Sequence, residues 1–147
     1  MDIATDNILA RVLLTLATLG YSVAPAIADF NKTHATNPAW TPHARFHVVW
    51  QVSSYLGIAL VGLGLIWCAG GFATVRLYLA ALLAAAVYLG FFTTAFLMPV
   101  FGGRLIDANG YPLFTVVAIA GRNVPLDRNT TVFSVMVTIL ILGVLMI

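Results

Sequence analysis

Two histidines four residues apart, His43 and His47, stand in the stretch TPHARFHVVWQ (residues 41–51) together with Arg45, Trp50 and Gln51. An i, i+4 pair shares one helix face, which is how a helix offers two imidazoles to a metal ion. Two ligands are too few for a zinc or di-iron centre, so the rest would have to come from His34 and Asp29 in a loop that folds back. The same imidazoles can serve as general acids and bases. Positions 43, 47, 50, 51 and 54 are spaced by threes and fours, so His43, His47, Trp50, Gln51 and Ser54 are expected to form one stripe along a helix. Histidine, arginine and tryptophan are also common anchors at a membrane interface, and that reading suits His43 better than the deeper His47.

Composition decides what kind of helix carries this stripe. Hydrophobic residues make up 61% of the 147 and charged residues 8%, with a mean hydropathy of +1.00. Soluble domains carry about 25% charged residues, so the chain is an integral membrane protein. In that setting a polar stripe should face the bundle interior, because unpaired polar groups are costly against lipid. The net charge of +2 rests on seven basic residues spread singly. Membrane lipid is therefore an expected partner and nucleic acid is not. The single cysteine, Cys68, has no mate for an intrachain disulfide or a thiolate site and reads as a packed small residue. Asp2 and Asp6 stand where a signal peptide would carry basic residues, so the first apolar segment is expected to stay in the mature protein.

About 20 mostly apolar residues span a bilayer as helix, and four such runs can be counted, about 8–28, 46–69, 75–101 and 131–147. They predict a single all-α domain, a four-helix membrane bundle. Tyr111 to Ala120 is apolar but half a span long, which suits a re-entrant or interfacial segment, or a lid. With four crossings the termini share one side. The two longer polar loops, 29–41 and 102–130, share the other and hold Asp29, Lys32, His34, Arg104, Asp107, Asn109, Arg122, Asp127 and Arg128. Basic residues are more numerous on the loop side, where Lys32, Arg45, Arg104, Arg122 and Arg128 face Arg11 and Arg76, and the positive-inside rule then places the loops in the cytoplasm. His34 reads as a solvated loop residue.

Thr41 followed by Pro42 is a helix start, since threonine can cap the first free N–H groups and proline at the first position gives up a donor that has no partner anyway. The second helix then overshoots the hydrocarbon by about two turns. Those turns hold the histidines. The third helix is lined with small residues, Ala80, Ala81, Ala84, Ala85, Ala86 and Gly90, beside Tyr88 and Thr93-Thr94, and Pro99 should bend its far end. In the first, Thr18, Ser22 and Asp29 share a face, and hydroxyls there are expected to bond their own backbone. Tyr88 and Asp29 are the further site candidates. No G-x-S-x-G, P-loop, HExxH or paired carboxylate lies within a span.

The segment from Trp40 to Ser54, on the second span of a four-helix protein of this length, resembles styrene oxide isomerase. That family carries an A-R-x-H element whose histidine is the axial ligand of haem b, and Ala44, Arg45, Phe46 and His47 match it. The GFF at Gly90 to Phe92, before a glycine- and asparagine-containing loop, resembles the family's third helix and its exit. The resemblance implies an isomerase that opens an apolar epoxide, or a related oxygenated lipophile, to a carbonyl compound with haem iron as Lewis acid. It also implies His47 on the iron and a trimeric assembly. His43, Arg45 and Trp50 would line the cofactor, with Arg45 or Arg104 meeting the propionates. The family's asparagine six positions after the ligand is Ser53 here, and its tyrosine beside the GF pair is Phe92, with Tyr88 one turn earlier as a substitute. Substrate contacts would then come from Tyr88, Ser53, Gln51 and Ser54, with Phe91, Phe92, Phe96 and Trp50 as walls. The expected location is a bacterial inner membrane.

Two other readings stand beside this one. One is a non-haem membrane isomerase or hydrolase working by acid–base chemistry, or with a small metal ion, through His43, His47, Tyr88 and Asp29. The other is an interaction or transport subunit without catalysis, in which the small-residue face of the third helix docks a partner.

Overall fold

The computed structural model describes residues 7–106, 115–119 and 122–147, the side chains of 115–125 excepted. Four helices, α1 (Ile8–Asp29), α2 (Pro42–Trp67), α3 (Ala73–Phe101) and α4 (Arg128–Leu145), are each long and apolar enough to cross a bilayer. The protein is a multi-pass membrane four-helix bundle.

The bundle is organised around α1, which packs against all three other helices while α2 meets α3 and α3 meets α4. Spacings of four and three put Ala10, Leu14, Ala17 and Tyr21 on the buried face of α1. Thr18 and Ser22 are buried with them and donate to Leu14 O and Thr18 O, so their hydroxyls cost little there. On α3, Leu77, Ala80, Ala81, Ala84, Val87 and Tyr88 are buried. Ala86 and Gly90 of the small-residue series are exposed. Close approach is also required where α4 and α3 cross α1 at Gly20. A Cβ there would lie 2.5 Å from Met136 Cγ and 2.9 Å from Tyr88 Oη. The outward faces carry Leu60, Leu82, Leu89, Phe96 and Leu145, which suits lipid.

The termini of α2 explain where it starts and stops. Thr41 Oγ1 accepts from Ala44 N at 3.2 Å and Pro42 takes the first helical position. At the other end Arg11 donates to Ile66 O, and Arg76 donates to the carbonyls of Cys68 and Gly70. Both guanidinium groups thus meet the negative end of the helix and its unpaired carbonyls. α2 ends at Trp67, two residues short of the expected 69, because the chain turns extended at Cys68. α4 starts at Arg128, three residues before the expected 131, because Asp127 Oδ1 accepts from Thr130 N at 2.8 Å and caps it.

The short apolar segment before α4 takes a form that hydropathy did not indicate. Thr115–Ile119 is a strand, β1, paired antiparallel with β2 (Arg122–Leu126) in the register Thr115 to Leu126. Val116, Val117 and Ile119 are β-branched, and a two-stranded ladder satisfies backbone that a half-length helix would leave open at both ends. Pro125 is tolerated because each strand has a free edge. Asp107, Asn109, Tyr111 to Phe114, Ala120 and the side chain of Arg122 lie outside the described residues.

Candidate functional site

The loop after α1 folds back on itself through side chains that take the place of regular structure. Asn31 Nδ2 donates to Ala28 O at 2.8 Å, and its Oδ1 accepts from Thr33 N and Thr33 Oγ1. Buried Asn37 donates to Thr33 O and accepts from Ala39 N. These asparagine turns give the loop a fixed course. Ala35 N returns to Asp29 O, and His34 Nδ1 comes to rest 3.5 Å from Asp29 Oδ1 and 2.7 Å from Thr33 Oγ1. The ring stands edge-on to Trp40, centroids 5.1 Å apart.

Because Thr33 Oγ1 donates to Asn31 Oδ1, it is left to accept from His34. With the ring proton placed on Nδ1, where Thr33 Oγ1 can accept it, Nε2 of the neutral ring keeps its lone pair. A carboxylate at this distance, together with the Thr33 hydroxyl on Nδ1, can orient the ring.

Asp29, His34 and Trp40 line a cavity of about 780 Å³ between the loop-side halves of the four helices. α2 contributes Ala44, His47, Val48, Gln51 and Tyr55. α3 contributes Gly90, Phe91 and Thr94, while Arg128, Asn129, Val132 and Phe133 come from α4. Gln51 Nε2 donates to Tyr55 Oη at 2.9 Å, which leaves the phenolic proton available to a ligand. Thr94 returns its hydroxyl to Gly90 O. The cavity is mostly apolar with a few polar groups, the usual character of a small-molecule site.

The structure divides the expected stripe. At about 100° per residue, Ala44, Val48, Gln51 and Tyr55 fall within about 60° of one another, with His47 about 40° beyond Gln51 at the margin. His43, Trp50 and Ser54 lie further round and are exposed outside the lining. His43 Nε2 lies 3.0 Å from His47 Nε2, and Ser54 donates to Trp50 O. Ser53 is exposed and Arg45 half-buried, neither in the cavity wall. Tyr88 is 1% exposed and donates to Ala17 O at 2.6 Å, so its hydroxyl joins α3 to α1 away from the cavity. Of the expected aromatic walls, Phe91 lines the cavity and Phe92 packs against Phe91. Phe96 and Trp50 face outward, and Phe133 supplies the second wall. Arg104 is exposed and apart. Among the described residues no three His, Cys, Asp or Glu side chains group as metal ligands.

A family model described as a family of unknown function (DUF6640) matches residues 13–128. The chain belongs to the DUF6640 family. The matched segment runs from the first turns of α1 to the first residue of α4, so it contains the folded-back loop and every lining residue except Asn129, Val132 and Phe133. No curated protein and no solved structure matches this DUF6640 chain.

Tyr55 and Asn129 are polar lining residues that spacing arguments passed over, while His34, read as solvated unless its loop folded back, lies in the lining because the loop does fold back. For Tyr55 a signal existed, since it lies four residues after Gln51 and eight after His47.

Proposed function

We propose that this protein is a membrane-embedded isomerase that opens an apolar epoxide, or a related oxygenated lipophile, and rearranges it to a carbonyl compound. The observation that carries the reading is the Asp29–His34 pair, with His47 and the Gln51–Tyr55 hydrogen bond, on the walls of one mostly apolar cavity within the bundle. When protonated, His34 donates from Nε2 to the epoxide oxygen as the C–O bond breaks, with Asp29 and Thr33 beside Nδ1 to hold the ring. Tyr55 adds a second donor to the same oxygen. A hydrogen then migrates with its electron pair to the electron-poor carbon. The hydroxyl proton returns to Nε2 as the carbonyl forms, so the sum is an isomerisation with no co-reactant. Apolar walls from Phe91, Val132 and Phe133 keep water from diverting the cation to a diol.

His47 in the cavity wall favours haem-assisted chemistry as a second reading. The lining suits such a group in its apolar faces, Phe91 and Phe133, in the open space beside Gly90, and in one imidazole. His47 would hold the iron once turned from His43, and Arg128 at the cavity would meet a propionate in place of Arg45 or Arg104. A bound ferric iron would supply a Lewis acid for the epoxide oxygen. Trimeric packing would add walls from neighbouring copies, and a bacterial inner membrane remains the proposed location.

Asp29→Asn and His34→Ala decide between the readings together with a visible spectrum of wild type and His47→Ala. On the acid–base reading, turnover of an apolar epoxide falls about 10²- to 10⁴-fold in the first two variants. The spectrum then shows no haem band. A haem band near 400 nm that is lost in His47→Ala transfers the oxygen-activating role to iron. Wild-type protein that turns over no epoxide with or without haem overturns both.

A further inference from the structure

The pairing of His43 with His47 is an arrangement that the acid–base step through His34 and Tyr55 does not use. Their Nε2 atoms lie 3.0 Å apart, the rings are nearly perpendicular with centroids 4.5 Å apart, and both side chains are exposed at the start of α2. Two neutral imidazoles at that distance share one proton, the donor on one ring facing the lone pair on the other. When the donor ring carries its proton on Nδ1 instead, both Nε2 atoms present a lone pair on the same side of the helix.

We propose that His43 and His47 chelate a divalent transition-metal ion, Cu(II) or Ni(II), at the membrane surface beside the cavity. The separation is compatible with a cis pair of ligands on one ion once the rings turn toward it. An ion about 2.05 Å from each nitrogen would subtend roughly 94° at the observed separation, close to the cis angle of square-planar and octahedral centres. The donors select the metal, since two imidazoles without a carboxylate suit the late first-row ions and give magnesium or calcium no advantage. Cu(II) should bind most tightly by the general order of divalent affinities.

The helix spacing makes the site pre-organised, because i and i+4 side chains stack on one face of a helix that Thr41 and Pro42 already hold at its first turn. The positive end of the helix dipole opposes the cation, an effect worth a factor of about five at most on an exposed helix terminus. Chelation by two ligands outweighs it. With no third protein donor grouped there among the described residues, water completes the coordination, or a histidine of a second copy does so. His47 also belongs to the cavity wall, so an ion here would stand at the margin of the cavity.

The test is a Cu(II) titration of detergent-purified protein carrying no polyhistidine tag, followed by electron paramagnetic resonance. Wild type should bind one Cu(II) per chain with nitrogen couplings from two imidazoles. His43→Ala and His47→Ala should each weaken binding at least tenfold, and His34→Ala should leave it unchanged. Because His43 is exposed, its removal leaves the fold intact, as circular dichroism would verify. His43→Ala binding Cu(II) as tightly as wild type, or a wild-type signal without nitrogen coupling, overturns the proposal. The His43→Ala result is independent of the epoxide assay, because the proposed turnover does not involve His43.

Discussion

Tyr88 and Tyr55 show how far the position of a hydroxyl outweighs its residue type. Tyr88 is enclosed between α1 and α4, edge-on to Tyr21 and Phe133, and donates to Ala17 O. Tyr55 accepts from Gln51 at the cavity wall. Tyr88→Phe should therefore destabilise the fold by about 0.5–1.5 kcal/mol, the usual worth of a hydrogen bond, and leave turnover per folded molecule unchanged. Thermal unfolding in detergent, read with the epoxide assay, checks both halves, and a large loss of turnover in folded protein would return Tyr88 to the site. Residue spacing reached His47 and Gln51 because both lie on a regular helix whose polar side was evident. For His34 it gave only a condition, that the loop fold back, because the turns made by Asn31 and Asn37 leave no periodic trace.

At the scale of elements, both ends of the helices follow local chemistry that hydropathy counts only partly. Thr41-Pro42 announced the start of α2 correctly. Asp127 was within the polar loop by composition, yet it accepts from Thr130 N and begins α4 three residues early, which brings Arg128 and Asn129 to the cavity. Asp127→Ala removes that cap and should cost about 1 kcal/mol. Hydrogen exchange should show lost protection at Thr130 and Thr131 with the middle of α4 unchanged, whereas unaltered exchange there would show that the cap is dispensable. The β1–β2 ladder escaped the sequence reading because a short apolar run has the same hydropathy as strand, half-helix or re-entrant segment.

For the molecule as a whole, four crossings put the α2–α3 turn and the N-terminus on one face of the membrane and the His34 loop on the other. Exposed Cys68 and exposed Lys32 report the two sides. In sealed vesicles a membrane-impermeant maleimide and an impermeant amine reagent should label Cys68 and Lys32 from opposite sides. Labelling of both from one side would contradict four crossings. Arg11 and Arg76 are both occupied with the carbonyls at the end of α2, so their presence on that face follows from helix capping. The excess of basic residues on the loop side then predicts that Lys32 reacts from the cytoplasm.

Only Asp127 separates the last residue of β2 from the first residue of α4, and the first turn of α4 forms part of the cavity wall. A single capped residue gives almost no slack. The hairpin and the cavity wall at Arg128 and Asn129 are thus tethered through one residue, so the register of β2 and the position of that wall are fixed together.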